Sequence, residues 1–126
     1  MKYIETTKAP KAIGPYSQAV LVNDILFVSG QLPFDPIKMA SPSEDISKQT
    51  RQSLENIKRI VEAAGFSIQN IAKCTVYLKD MEQFSAMNSV YQDFFEGHRP
   101  ARVAIEVARL PKDVLIEIDA ICVRDK

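Results

Sequence analysis

Residues 100–123 read PARVAIEVARLPKDVLIEIDAICV. Two runs rich in Val and Ile flank Leu110–Asp113, a turn-like stretch containing a proline, and the spacing predicts two strands joined as a hairpin. Charges stand inside both runs: Arg102 and Glu106 in the first, Glu117 and Asp119 in the second. Strand alternation puts Val103, Ile105 and Val107 on one face of the first run, with Arg102, Ala104 and Glu106 on the other. In the second run Ile116, Ile118 and Ala120 share a face opposite Glu117 and Asp119. With a four-residue turn, Arg109 is expected opposite Val114, and odd residues of one strand fall beside even residues of the next. Such a register merges the aliphatic side chains into a helix-covered face and gathers Arg102, Glu117 and Asp119 on the other. A slip of two residues would change neighbours but not faces, because the side-chain period is two.

Outward from this segment the rest of the chain follows the same logic. GPYSQAVLV, Asn23-Asp24 and ILFVSGQ form a second hairpin pattern, two β-rich runs about a two-residue turn. Residues 32–43 contain Pro33, Pro36 and Pro42 and are expected to be a loop. Ser41 or Ser43 can cap a helix with Glu44 and Asp45 in its first turn. Ile46, Thr50, Ser53, Leu54, Ile57, Val61 and Ala64 then recur at helical spacing, and Gly65 suits the stop. IAKCTVYLKD alternates as a strand with Cys74, Val76 and Leu78 on one face. A second helix is expected over 81–96, its stripe formed by Phe84, Met87, Tyr91, Phe94 and Phe95, a core contact rather than a cofactor site. Two strands before any helix predict an α+β fold, one domain over residues 1–126, with a mixed sheet and two helices packed on one face.

Composition removes many chemistries. The 126 residues carry 16 basic and 16 acidic side chains with no basic run, which argues against nucleic acid or an anionic membrane as partner. No apolar run is long enough for a bilayer and the start MKYIETTKAPK has no signal-like apolar region, so a cytoplasmic protein is expected. One histidine, His98, and two separated cysteines, Cys74 and Cys122, do not make a metal site, and the cysteines are expected as buried thiols. Phosphate-binding and nucleophile-elbow motifs are missing. An enzyme built from this sequence would work with carboxylate, arginine, hydroxyl and water, without metal or cofactor.

The charged sheet face admits two readings. It could simply face water. Yet Leu115, Ile121 and Val123 share it, as do Val20, Val22, Ile25 and Phe27 on the side of Ser29. Large aliphatics mixed with a few charges fit a subunit interface enclosing a polar pocket, with another copy of the chain as the simplest partner.

APKAIGPYSQAV, VSGQLP, RQSLENIKRIVEAAG, KCTVYLKDMEQFSAMNSVY and, above all, PARVAIEVARLPKDVLIEI carry a resemblance along almost the whole chain to the Rid/YjgF family of imine deaminases, also known as L-PSP endoribonucleases. The resemblance implies a chorismate-mutase-like homotrimer (hairpin, helix, strand, helix, hairpin) with pockets between subunits. It implies hydrolysis of 2-iminobutanoate and 2-iminopropanoate, reactive products of PLP enzymes, to 2-keto acids and ammonia. The chemistry suits these residues, because a protonated imine is already electrophilic and needs chiefly position and one proton carrier.

On that resemblance, Arg102 would hold the substrate carboxylate with its planar fork, and Glu117 would orient and deprotonate water. Arg102 could alternatively form an interfacial ion pair. Backbone N–H groups of Gly30 and Ala104 could meet the carboxylate, Gly30 allowing close approach. Ser29 and Tyr16 offer hydroxyls, Phe84 would wall the pocket, and Asn88 is expected to be structural. Glu106 and Asp119 are expected as rim or solvated charges. Many relatives carry Cys where this chain has Ala104, so no thiol acts there. Two rivals stand beside the deaminase: a regulatory trimer that only binds small carboxylates, and, more weakly, a ribonuclease or translation inhibitor.

Overall fold

The computed structural model describes residues 1–125. Its strands are β1 (Lys2–Ile4), β2 (Ala19–Val22), β3 (Ile25–Gln31), β4 (Ile71–Leu78), β5 (Ala101–Glu106) and β6 (Ile116–Val123); its helices are α1 (Ile46–Ala63) and α2 (Phe84–Phe95). The expected β2–β3 hairpin forms, with Asn23 at φ 54° in the turn and Val22 opposite Ile25. Helix α1 begins at Asp45, whose carboxylate accepts from the Lys48 N–H at 2.9 Å, rather than at Ser41 or Ser43; the Ser43 hydroxyl instead accepts from the Asp45 N–H. An Asp at this position also places its charge at the positive end of the helix dipole. Gly65 follows the helix at φ +82°, where an L side chain would be strained. A one-turn 3₁₀ helix, Met81–Gln83, precedes α2. The short edge strand β1 carries too few residues to show a period.

Among the described residues the strands form one six-stranded sheet in the order β1-β2-β3-β6-β4-β5. The expected hairpin of residues 100–123 does not form. Strand β4 lies between its two halves, parallel to β5 and antiparallel to β6. The insertion is visible at the end of β4, where the Leu78 carbonyl accepts from the Val107 N–H (2.9 Å) and the Lys79 N–H donates to Leu115 (3.0 Å). The physical cause is the preceding helix: β4, α2 and β5 form a strand–helix–strand crossover, which returns the third element parallel to the first.

This topology reverses the parity. Cys74 aligns with Ala120 and Arg102, while Thr75 aligns with Asp119 and Val103, so odd residues lie beside odd. The helices cover the even side. Leu54, Ile57, Ile60 and Val61 of α1, with Met87, Tyr91, Phe94 and Phe95 of α2, pack on Leu26, Val28, Cys74, Val76, Leu78, Ile116, Ile118 and Cys122. The thiols of Cys74 and Cys122 are buried, and burial pushes them up to about 11 and about 12. The odd side has no helix. Phe27, Val103 and Ile105 are 47%, 40% and 41% exposed there, and Ile25 and Val123 also lie open. No helix among the described residues is long and apolar enough to cross a membrane.

Candidate functional site

Glu117 and its neighbours sit where β3 departs from regular pairing. Val28 aligns with Ala120 but Gln31 with Ile118, so β3 holds one extra residue across Ser29 and Gly30. This β-bulge turns the strand locally, a device common beside functional sites. Glu117 arches over it: a Cβ on Gly30 would overlap the Glu117 carboxylate oxygen Oε2 and approach its Cδ to 2.9 Å. A side chain at Gly30 would push the Glu117 carboxylate out of this position. Glu117 is half-buried, and no hydrogen bond or ion pair among the described residues engages its carboxylate. Burial first, and then the charge of Asp119, raise its pKa above the ordinary 4.5.

The flanking hydroxyls are oriented differently. Ser29 donates to the Ser17 carbonyl at 2.6 Å, so toward any other group it can only accept. The exposed Tyr16 hydroxyl accepts weakly from the Ile13 N–H at 3.4 Å, which leaves its proton free to donate. Tyr16 and Gly30 border a common cavity of about 330 Å³.

Arg102 belongs to a different place. It lies on the edge strand β5 and points to the helix side, in line with Cys74. Its Nη1 donates to Asn88 Oδ1 at 2.7 Å. Its guanidinium carbon lies 4.8 Å from the Tyr91 ring centre and 5.4 Å from that of Phe84, both within cation–π range. Phe84, Asn88 and Tyr91 stand at i, i+4 and i+7 on α2, one stripe of the helix aimed at one residue. Asn88 thus holds the arginine, and Phe84 borders it. Ala104, two residues along β5, is half-buried beside Val76. Since the Val107 N–H points to β4, alternation along the strand turns the N–H groups of Ala104 and Arg102 outward, onto the free edge.

The expectation that Arg102, Glu117 and Asp119 share a face is therefore corrected. Glu117 and Asp119 share the open face, whereas Arg102 lies two strands away on the opposite side. Strand spacing alone separates β6 from β5 by about 9.6 Å. Neither charge expected at the rim is idle. Asp119 accepts from the Thr75 N–H (3.0 Å) and the Tyr77 hydroxyl (3.1 Å), and Glu106 accepts from Met81 N–H (2.9 Å) at the start of the 3₁₀ turn. Tyr91 was read from the sequence only as core; its place one turn beyond Asn88 was the signal for its second role. His98 binds the Ile71 carbonyl through Nε2 at 2.7 Å and is a structural loop residue. Among the described residues no cluster of three or more His, Cys, Asp or Glu is placed to hold a metal ion.

Comparison with known proteins agrees with this architecture. The model of the family "Endoribonuclease L-PSP" matches residues 6–124. A RutC family protein of Pyrococcus horikoshii is 57% identical over 122 residues, covering 97% of each chain. The 2-iminobutanoate/2-iminopropanoate deaminase of Salmonella typhimurium is 53% identical over 126 residues, covering 98% of each. The crystal structure of TdcF from E. coli with bound serine superposes with a TM-score of 0.95 at 48% identity, covering 99% of this chain and 100% of that one. The chain therefore belongs to the Rid/YjgF family, the L-PSP endoribonuclease family of the matching model.

Proposed function

We propose that the protein hydrolyses 2-imino acids to 2-keto acids and ammonia, in sites shared between copies of a homotrimer. The observation that carries this reading is the separation of Glu117 from Arg102. One is a carboxylate without a cation; the other is a guanidinium held by Asn88 and two rings, with donors to spare. Their charges are complementary, yet one chain cannot bring both to a small substrate. A second copy docked on the open apolar face can.

In the proposed site, Arg102 and the outward N–H of Ala104 on one subunit hold the substrate carboxylate, with Phe84 as wall. The neighbouring subunit supplies Glu117, Gly30, Ser29 and Tyr16. Water adds to the protonated imine carbon while Glu117 takes a proton from it, giving a carbinolamine. Glu117 returns that proton to nitrogen; the C–N bond then breaks as Glu117 takes the hydroxyl proton, so the C=O forms and ammonia leaves, to be protonated to ammonium. The raised pKa of Glu117 makes it a better proton acceptor than an ordinary carboxylate. Tyr16 can donate toward the water or, once water has added, toward the carbinolamine nitrogen. Relatives named 2-iminobutanoate/2-iminopropanoate deaminase, at 53% and 50% identity, support the reaction class.

TdcF with bound serine gives the regulatory alternative its footing, since a protein that binds a small carboxylate need not turn it over. The test generates imine from threonine with a PLP-dependent dehydratase and follows 2-oxobutanoate. A deaminase accelerates its appearance in proportion to protein added. Binding of the keto acid without acceleration would establish the regulatory protein instead.

A further inference from the structure

The cavity bordered by Tyr16 and Gly30 is lined mainly by apolar side chains. It lies between residues 10–13 and the 32–43 loop, with Ile13, Leu32, Phe34 and Met39 as apolar lining and Gly30 at its border. Its two charged lining residues, Lys11 and Lys112, are exposed. Two buried amides fix the walls. Gln18 accepts from the Thr6 N–H (2.7 Å) and donates to the Thr6 and Pro10 carbonyls (3.0 and 2.8 Å), which pins the N-terminal wall. Asn56 of α1 donates to the Leu32 and Phe34 carbonyls (3.1 and 3.0 Å), which pins the loop wall. Both residues are almost wholly buried, at 3% and 1% exposed. Met39 and Lys112 hold left-handed backbone at φ 54° and 58°, a conformation that persists in such residues only where the surroundings impose it.

A pre-formed apolar cavity next to Gly30, and so next to the carboxylate arching over Gly30, is suited to hydrocarbon attached to the reacting carbon. At about 330 Å³ it reaches the size range of small-molecule pockets and exceeds what one or two carbons fill. We propose that this cavity receives the side chain of the imino acid, and that the preferred substrates carry apolar side chains of four carbons or more. The preferred class is then imines of leucine- and phenylalanine-sized amino acids rather than 2-iminopropanoate. This inference rests on Glu117 and Gly30 marking the reaction centre. Lys11 and Lys112 in its lining disfavour basic side chains.

The test is calorimetry on the whole protein with pyruvate, 2-oxobutanoate, 4-methyl-2-oxopentanoate and phenylpyruvate, beside turnover of the corresponding imines made by an amino-acid oxidase. Each buried methylene is worth about a fourfold gain, so Kd is expected to fall roughly ten- to sixtyfold from pyruvate to 4-methyl-2-oxopentanoate. Ile13 is 67% exposed, so replacing it leaves the core intact. Ile13→Asp, which puts a charge in the pocket, and Ile13→Trp, which fills it, should each erase that gain. Affinities that are flat along the series, or a chain-length gain untouched by both variants, would overturn the pocket, and equal turnover of all the imines would then leave hydrolysis standing. A chain-length gain that both variants erase, without turnover of any imine, would keep the pocket and refute the hydrolytic reading.

Discussion

Glu117 and Arg102 are the two ionisable groups on which the proposed site depends, and the sheet treats them in opposite ways. Glu117 stands half-buried on β6, a central strand, over a bulge where Gly30 leaves room for its carboxylate, and burial works against its charge. Arg102 stands exposed on β5, the edge strand, and the neighbouring helix helps its charge through one hydrogen bond and two aromatic faces. A central strand fixes position at the expense of solvation, which suits a group that must exchange a proton. An edge strand leaves solvation and outward N–H groups, which suits a group that must capture an anion. On the proposed reading, each half is built for one task, and the site is complete only when two chains meet.

Removing the proton carrier should give the largest effect. Glu117→Gln keeps size and packing, and keto-acid formation should fall by about 10²–10⁴-fold, the usual contribution of a general acid or base. Initial rates with the variant check this, and an unchanged rate would reduce Glu117 to a buried charge. Next comes Arg102→Lys, in which an ammonium replaces a planar fork. Loss of a charge-assisted pair costs about 1.5–3 kcal/mol, or roughly ten- to hundredfold in rate.

These two variants also test the comparison itself. Mixed as unfolded chains and reassembled, they should recover activity in roughly a quarter of the sites if each site draws on two copies of a symmetric ring. A site inside one chain would recover none.

Two smaller effects sharpen the contrast. Asn88→Ala frees the guanidinium without removing it, and the expected loss is about three- to tenfold, in KM more than kcat, since an exposed hydrogen bond to a charged group is worth about 1 kcal/mol. The smallest effect concerns pH. A carboxyl whose folded pKa is raised stabilises the fold while protonated, and that contribution disappears as pH rises from about 4.5 through the raised value. Urea midpoints at pH 4 and pH 8 should therefore fall further for the native chain than for Glu117→Gln, which does not titrate. Equal pH slopes would mean that the Glu117 carboxyl is solvated.

Local pattern revealed most of this molecule, and pairing partners did not follow from it. The β2–β3 hairpin, the buried stripe of α1 and the alternation of β4 are periodic signals, carried by consecutive residues, and they were legible. The alternation in residues 100–123 was also right strand by strand, and Glu117 with Asp119 was correctly set on an uncovered face. The error lay in a choice between two long-range partners: a short proline-containing turn suggested a hairpin, while the helix over 84–95 required a parallel return. One wrong neighbour moved Arg102 across the sheet. The bulge at Ser29–Gly30 left no local trace either, because the extra residue is defined only against β6. Gly30 was expected to admit a substrate carboxylate; the close neighbour in the structure is instead the Glu117 side chain. The Asn88–Tyr91–Phe84 cradle needed the strand order before its target was visible.

The two cysteines acquire a different meaning once the proposed substrates are considered. Electrophilic imines react with thiolates, and a protein that binds them is exposed to self-modification with every encounter. Here both sulfurs are sealed beneath the helices and burial holds them protonated, at about 11 for Cys74 and about 12 for Cys122. A catalyst whose thiols are both buried could work through many turnovers of a thiol-reactive compound without its cysteines being modified.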